Sequence, residues 1–139
     1  MTQEEKELLV KDLCARLPYG VKAKVLVDDI LRYDYSAEEG GVINGIENLN
    51  DGLFVIKCRE DGYVLSYDEF KPYLRPMSSM TEEEQRTLDS MCNGVEQVSR
   101  LSGLKMFDKA FNWLDENHFD YRGLIEKGIA IDATGKNIY

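Results

Sequence analysis

The sequence contains very little histidine: His118 is the one histidine among its 139 residues. A serine or cysteine nucleophile normally needs a histidine base, so either mechanism would have to use this one residue. No Gly-x-Ser-x-Gly motif is present to supply a serine nucleophile. We therefore expect His118 to cap a helix or lie at the surface, and we expect no catalytic residue. A small hydrolase that uses His118 is kept as an alternative hypothesis.

Cysteine is also scarce, and Cys14, Cys58 and Cys92 lie far apart in the chain. Three cysteines without a Cys-x-x-Cys pair make neither a disulfide framework nor a zinc knuckle. Each cysteine falls on the apolar side of its predicted element, which predicts buried, unreactive thiols. The acidic turns lack the spacing of a calcium loop, and no glycine-rich nucleotide motif occurs. We therefore expect neither a metal ion nor a cofactor.

Long apolar runs are missing as well. The first residues are polar and acidic, unlike a signal peptide, and no apolar run reaches the length of a transmembrane helix. These features predict a cytoplasmic protein of bacterial type with no membrane contact.

Basic residues are outnumbered, with 17 Lys and Arg against 26 Asp and Glu, for a net charge of −9. The excess is greatest over residues 37–70, where 8 acidic and 2 basic side chains give −6. Direct binding of nucleic acid needs positive charge, so it is not expected. Solubility is the simplest explanation of the acidic segment. An acidic inhibitor or nucleic-acid mimic that acts on a DNA-binding partner is the alternative.

The first half of the chain predicts a helix and then a β unit. Residues 1–17 form the helix, which begins with a capping box between Thr2 and Glu5 and ends before Pro18. Over residues 20–75 the apolar period changes from 3.6 to 2, and glycine turns punctuate short strands. This pattern predicts a small curled antiparallel sheet or partial barrel. Within this unit the sequence predicts a return strand over 30–35, a turn at 50–52 and a tight turn at Asp61-Gly62. It predicts at most an edge strand over 71–76, because this stretch contains two prolines.

The second half predicts a helical part over residues 80–128 and a loose tail over 132–139. One helix starts at a Thr81–Glu84 capping box, a second runs from about 104 to 117, and a short third one covers 121–127. Asp120 caps the short helix and Gly128 ends it. We expect Phe111 and Trp113 to anchor the second helix on the β unit. The whole chain is then one α+β domain, with the C-terminal helices packed on the sheet.

Three strings resemble those of an abundant family of small uncharacterised proteins from gut anaerobic bacteria, often associated with phage or mobile elements. They are DLCARLPYGV at 12–21, KPYLRPMSSMT at 71–81, and WL followed by HFDYRGLIEKG within 113–128. Together they cover about a quarter of the chain. The family has no activity that could be carried over. The resemblance implies a bacterial cytosolic origin and an accessory role.

Tyrosine is the one chemically useful residue in surplus, with eight copies. Tyrosine combines apolar area with a polar tip and is enriched where proteins meet partners, although strand propensity also accounts for it. We take five residues as candidates for partner binding: Tyr63, Tyr67, Tyr73, Tyr121 and Arg122. The favoured function is a non-enzymatic protein-interaction or accessory domain whose partner is another protein.

Overall fold

The computed structural model describes residues 1–26, 41–46, 54–58, 61–93 and 99–139, with the backbone alone at 54–58 and 61–64. It confirms the α+β class. The helices are α1 (Gln3–Arg16), α2 (Glu82–Cys92) and α3 (Arg100–Glu116), and the strands are β1 (Lys22–Val25), β2 (Gly41–Ile46), β3 (Phe54–Cys58), β4 (Asp61–Leu65), β5 (Phe70–Leu74) and β6 (Ile131–Asp132).

Both predicted capping boxes are confirmed. In α1 the Thr2 hydroxyl accepts the Glu5 N–H, and the Glu5 carboxylate accepts the Thr2 N–H. In α2 the same reciprocal pair joins Thr81 and Glu84. These pairs satisfy N–H groups that the first helical turn leaves free.

The buried face of α1 includes two charged residues. It consists of Leu9, Asp12, Leu13 and Arg16, spaced three and four residues apart as one helix face requires. Cys14, predicted to be buried, is exposed. Cys92 is exposed too, because α2 buries none of its residues. The expectation of buried thiols is therefore wrong for both residues. The side chain of Cys58 lies outside the described part of the chain.

The strands form an open six-stranded sheet in the order β4-β3-β2-β1-β5-β6. Neighbours from β4 to β5 are antiparallel, whereas β6 runs parallel to β5. The sheet is therefore mixed rather than purely antiparallel, because a C-terminal segment adds its last strand. β2 carries an irregularity in its pairing with β3 between Ile43 and Gly45.

Two local predictions about the sheet are wrong. Asp61 and Gly62 lie inside β4, paired with Cys58 and Lys57, instead of forming a turn. β5 is an interior strand, although it contains Pro72. Proline is tolerated there because β6 pairs only with the two residues that follow it, so no described strand requires the missing N–H on that side. The predicted strand at 30–35 and turn at 50–52 lie outside the described residues.

The core lies between α1, one face of the sheet and the turns that follow α3. Its buried members are Leu9, Leu13, Val21, Ala23, Ile43, Leu65, Phe70, Leu74, Leu124, Ile129 and Ala130. Residues 121–130 supply the last three as a series of turns rather than the predicted short helix. The Asp120 carboxylate nevertheless accepts two N–H groups there, and Gly128 adopts φ +73°.

The C-terminal residues, predicted to be loose, make defined contacts. Ile131–Asp132 forms β6, and the Ala133 N–H donates to the Leu74 carbonyl at 2.8 Å. The Lys22 ammonium donates to the Ile138 carbonyl at 2.8 Å. These contacts could not be predicted from the hydrophilic composition of the segment, because most of them are made by the backbone.

Candidate functional site

A buried ion-pair network joins α1 to the end of α3. Arg16 is fully buried, and its Nε and Nη2 donate to the two carboxylate oxygens of Asp12 at 2.8 and 2.9 Å. The same Nη2 donates to the Phe119 carbonyl at 2.7 Å. The bidentate pair lies within α1 and holds the Arg16 guanidinium in a fixed orientation. The bond from this guanidinium to the Phe119 carbonyl then fixes α1 against the turn at 119.

Two of the predicted partner-binding residues complete this network. Arg122 Nη1 donates to Asp12 Oδ1 at 2.8 Å and to Asp115 Oδ1 at 3.2 Å. The Tyr121 hydroxyl donates to Asp115 Oδ1 at 2.9 Å, and burial together with this bond raises the pKa of Tyr121. The guanidinium of Arg122 also lies 4.3 Å from the centre of the Tyr121 ring. The main contacts of both residues are therefore internal, although part of each remains accessible.

The other three candidates do not form one surface. Tyr73 is 5% exposed within β5, so it is a core residue. Tyr67 is half-buried against the core, with the Lys6 ammonium 5.3 Å from its ring centre. Tyr63 lies in β4 opposite Ile56, and its side chain is outside the described part of the chain. The structure thus separates these tyrosines from Tyr121 and Arg122.

His118 ends α3 in a backbone conformation that usually belongs to glycine. Its φ is +61°, its N–H donates to the Asp115 carbonyl, and the next N–H donates to the Leu114 carbonyl. These two bonds define a Schellman motif with His118 at the left-handed position. Such a conformation is uncommon for residues with a Cβ, although histidine is among those that tolerate it best. The prediction of a helix-end position is confirmed, and the prediction of a solvent-exposed or capping side chain is wrong.

The imidazole of His118 is buried, with 7% of the residue exposed, and it stacks on Tyr139. The ring centres lie 3.7 Å apart and the planes differ by 13°. Burial first, and then the nearby Arg16, Arg75 and Lys22, lower the pKa of His118 to about 4, against a weak opposing effect of Asp12. The ring is therefore neutral at pH 7.

We expect the stability of the folded chain to fall as the pH is lowered from 6.5 towards 4. The unfolded chain binds a proton at its ordinary His118 pKa near 6.5, whereas the folded chain does not until about 4. The loss is limited to about 1.4 kcal/mol per pH unit, because one proton is involved. Urea midpoints at pH 7 and pH 5 test this, with His118→Asn as the matched variant, since asparagine tolerates the left-handed conformation and does not titrate. Equal pH dependence of the two proteins would contradict the assignment.

A cleft of about 400 Å³ lies beside the C-terminal segment. It is lined by Arg75, Ser79, Glu84, Ala133, Thr134, Gly135, Asn137, Ile138 and Tyr139. Arg75 donates two hydrogen bonds to Glu84, and this pairing lowers the pKa of the carboxyl to about 2. The pair ties the start of α2 to the end of β5, so the most strongly charged groups of the cleft already satisfy each other.

The outer face of α3 is apolar and exposed. The exposed fractions are 64% for Leu101, 66% for Leu104, 43% for Phe107 and 48% for Phe111. These four residues, spaced three and four apart, are called the α3 face below. The helix instead buries Gly103, Ala110, Leu114 and Asp115.

This arrangement corrects the prediction that Phe111 anchors α3 on the β unit. Phe111 contacts only the Tyr121 ring among described aromatic neighbours, at 5.3 Å between centres. Trp113, which is half-buried, stacks on Phe119 at 5.8 Å. In the sequence, the apolar residues of this helix spread over more than one side of it, as Met106, Phe107, Ala110, Phe111, Trp113 and Leu114 show. This excess width is the signal from which an exposed face could have been inferred.

Comparison of the chain with protein-family models, curated proteins and solved structures gives no match. Within the described ranges, no group of three or more His, Cys, Asp or Glu side chains is placed to hold a metal ion. No helix in the same ranges has both the length and the apolarity needed to cross a bilayer.

Proposed function

We propose that this chain is a non-enzymatic protein-interaction domain that binds its partner through the α3 face. The exposure of two leucines and two phenylalanines on one side of one helix is the observation that carries the proposal. Together they present roughly 400 Å² of apolar surface, which is the size of the largest patches on monomeric proteins and often marks a functional surface. The opposite side of α3 is fixed by Ala110 and Leu114, so the face is presented on a rigid element.

Tyr121 extends this surface. Its ring lies 5.3 Å from that of Phe111, and it is held by its bond to Asp115. A tyrosine whose position is set by internal contacts loses little entropy when a partner binds beside it. This supports a role in partner binding for Tyr121 among the five residues suggested by the sequence.

The occupant that fits best is an amphipathic helix with basic flanks, supplied by a partner protein. Apolar residues spaced along three turns suit a helix laid against them. The net charge of the chain is −9, so its overall field is negative, while the part of α3 that carries the face, residues 100–111, has Arg100, Lys105 and Lys109 against Asp108. A basic partner is attracted by this field, whereas a second copy of the chain is repelled. An area near 400 Å² is also about half of what each partner buries in a stable dimer.

The other hypotheses draw less support. The His118 imidazole is buried beneath Tyr139, which favours a packing role over that of a general base. The acidic segment 37–70, on which nucleic-acid mimicry depends, lies largely outside the residues whose side chains are described. The exposed free thiols of Cys14 and Cys92 fit a reducing compartment, so we retain the bacterial cytosol and an accessory role as part of the proposal.

The test uses a synthetic 18-residue helical peptide with leucines at i, i+3, i+4 and i+7 and lysines elsewhere. We expect Leu104→Glu to weaken its binding at least about tenfold, because a charge would be buried against leucine. Ser102→Glu is the matched control, since it adds the same charge on the other side of α3, where Ser99 accepts the Ser102 N–H. Binding is measured by titration calorimetry at two salt concentrations.

Three outcomes would contradict the proposal. One is equal binding by both variants, and another is equal binding of a scrambled peptide that has no apolar face. The third is self-association of the parent chain in sedimentation experiments that is lost in Leu104→Glu, which would identify a second copy as the occupant.

A further inference from the structure

The ring of Tyr139 lies in a slot formed by three separate parts of the chain. His118 stacks on one face of the ring at 3.7 Å between centres. The Lys22 N–H of β1 donates to the Tyr139 hydroxyl at 2.8 Å, and the hydroxyl donates to the Tyr73 carbonyl of β5 at 2.9 Å. The Lys22 ammonium lies 6.0 Å from the ring centre. This arrangement recognises both the flat face and the polar tip of a phenol.

The hydroxyl contacts are selective for a phenol over a plain aromatic ring. A phenolic hydroxyl can donate one hydrogen bond and accept others, and the slot uses both capacities with backbone groups of two adjacent strands. Backbone groups in a paired sheet are rigidly placed, so the slot does not have to rearrange around its ligand. A ring without the hydroxyl would leave one donor and one acceptor unsatisfied.

The backbone of His118 indicates that this side chain is retained for its contact with the ring. Glycine would adopt φ +61° without steric penalty, whereas histidine does so with strain. The stacked contact of the imidazole with Tyr139 offsets this strain. The Nδ1 atom of the imidazole is buried and has no hydrogen-bond partner in the described part of the chain. The imidazole therefore acts as a platform rather than as a hydrogen-bonding group.

Tyr139 is partly accessible from the surface, so an external ring can exchange with it. Tyr139 is 46% exposed, although its hydroxyl is fully engaged. The same residue lines the 400 Å³ cleft beside Arg75 and Thr134, so a ring that replaced it would have room for attached atoms.

We propose that His118, Lys22 and Tyr73 form a phenol-binding slot in which Tyr139 is an internal, displaceable ligand. The external ligand is a phenolic ring, which can come from a free small molecule or from a tyrosine of another polypeptide. This site shares no residue with the α3 face, so each can be tested without altering the other.

The experiment removes the internal ligand and supplies the ring in solution. In Tyr139→Ala, p-cresol is expected to raise the thermal midpoint in a saturable way and to shift the NMR signals of the His118 ring. Toluene is expected to bind about tenfold more weakly, because it leaves the two backbone groups unsatisfied. Tyr139→Phe is the matched control: its ring fills the slot, so p-cresol should leave its midpoint unchanged.

A second arm distinguishes the two sources of the ring. Acetyl-Lys-Asn-Ile-Tyr, which repeats residues 136–139, is compared with p-cresol on Tyr139→Ala. Tighter binding of the peptide identifies a polypeptide tyrosine, and binding of p-cresol alone identifies a small phenol. The proposal is overturned if neither ligand stabilises Tyr139→Ala, whether that variant is folded or unfolded without them, or if toluene matches p-cresol.

Discussion

Replacing Asp12 with alanine is expected to lower the free energy of unfolding by about 3–5 kcal/mol, because it leaves the buried Arg16 guanidinium without its carboxylate. Arg16 is fully buried and receives two hydrogen-bond acceptors from Asp12. Arg122 would lose a partner as well, since its Nη1 donates to the same carboxylate. Urea denaturation at pH 7 measures the change.

Two controls test whether the loss of stability comes from leaving a buried charge unpaired or would follow from breaking any ion pair. The double variant Asp12→Leu with Arg16→Met removes both charges and is expected to be much more stable than Asp12→Ala, because apolar replacement of a buried pair is often neutral. Glu82→Ala breaks the exposed pair with Arg86 and should change the midpoint within error. If Asp12→Ala and Glu82→Ala behaved alike, the network would contribute nothing to stability.

Phe119→Ala should have an effect of similar size, about 3–5 kcal/mol, because it removes a fully buried aromatic side chain. Its ring stacks on Trp113, and the Arg75 guanidinium lies 4.2 Å from its centre. The cavity would open where α3 meets the end of β5, next to the bridge between Arg75 and residue 119. Thermal and urea midpoints measure the loss.

Phe111→Ala is the comparison that tests the assignment of faces on α3. With 48% of Phe111 exposed, we expect a loss of about 1 kcal/mol or less, mostly from its contact with Tyr121. A loss as large as that of Phe119→Ala would show that Phe111 is an anchor after all and would remove the central residue of the proposed binding surface.

Local chemistry explains which parts of the fold were predictable. The capping boxes at Thr2 and Thr81 depend on residues three apart, and the helices begin where these pairs require. The interior position of β5 was not predictable in this way, because Pro72 argues for an edge and only the arrival of β6, almost 60 residues later, gives the strand a second neighbour. The buried face of α1 was not predictable from local sequence either. Asp12 and Arg16 can be buried only because residues 115–122 supply hydrogen-bond partners for them.

The candidate sites were predictable to different degrees. The excess width of the apolar pattern on α3 was visible in the sequence, but which part of it stays exposed depends on packing. Tyr121 and Arg122 were singled out for partner binding, which stays a prediction, and the structure shows that their main contacts are internal. For His118, the sequence offered one signal: no glycine directly follows α3, and histidine tolerates the left-handed conformation in which many helices end.

The ion-pair network also bears on when the chain can fold during synthesis. Asp12 and Arg16 pair within one helical turn, but Arg16 binds the carbonyl of a residue 103 positions later, and Arg122 reaches Asp12 across 110 positions. Chains emerge from the ribosome N-terminus first, and contacts that close such long loops form late. Until residue 122 is available, docking α1 on the sheet would bury Arg16 with only part of its final hydrogen bonds. We therefore expect the N-terminal helix to stay undocked during translation until the residues up to 122 have been made, and to take its native place only then.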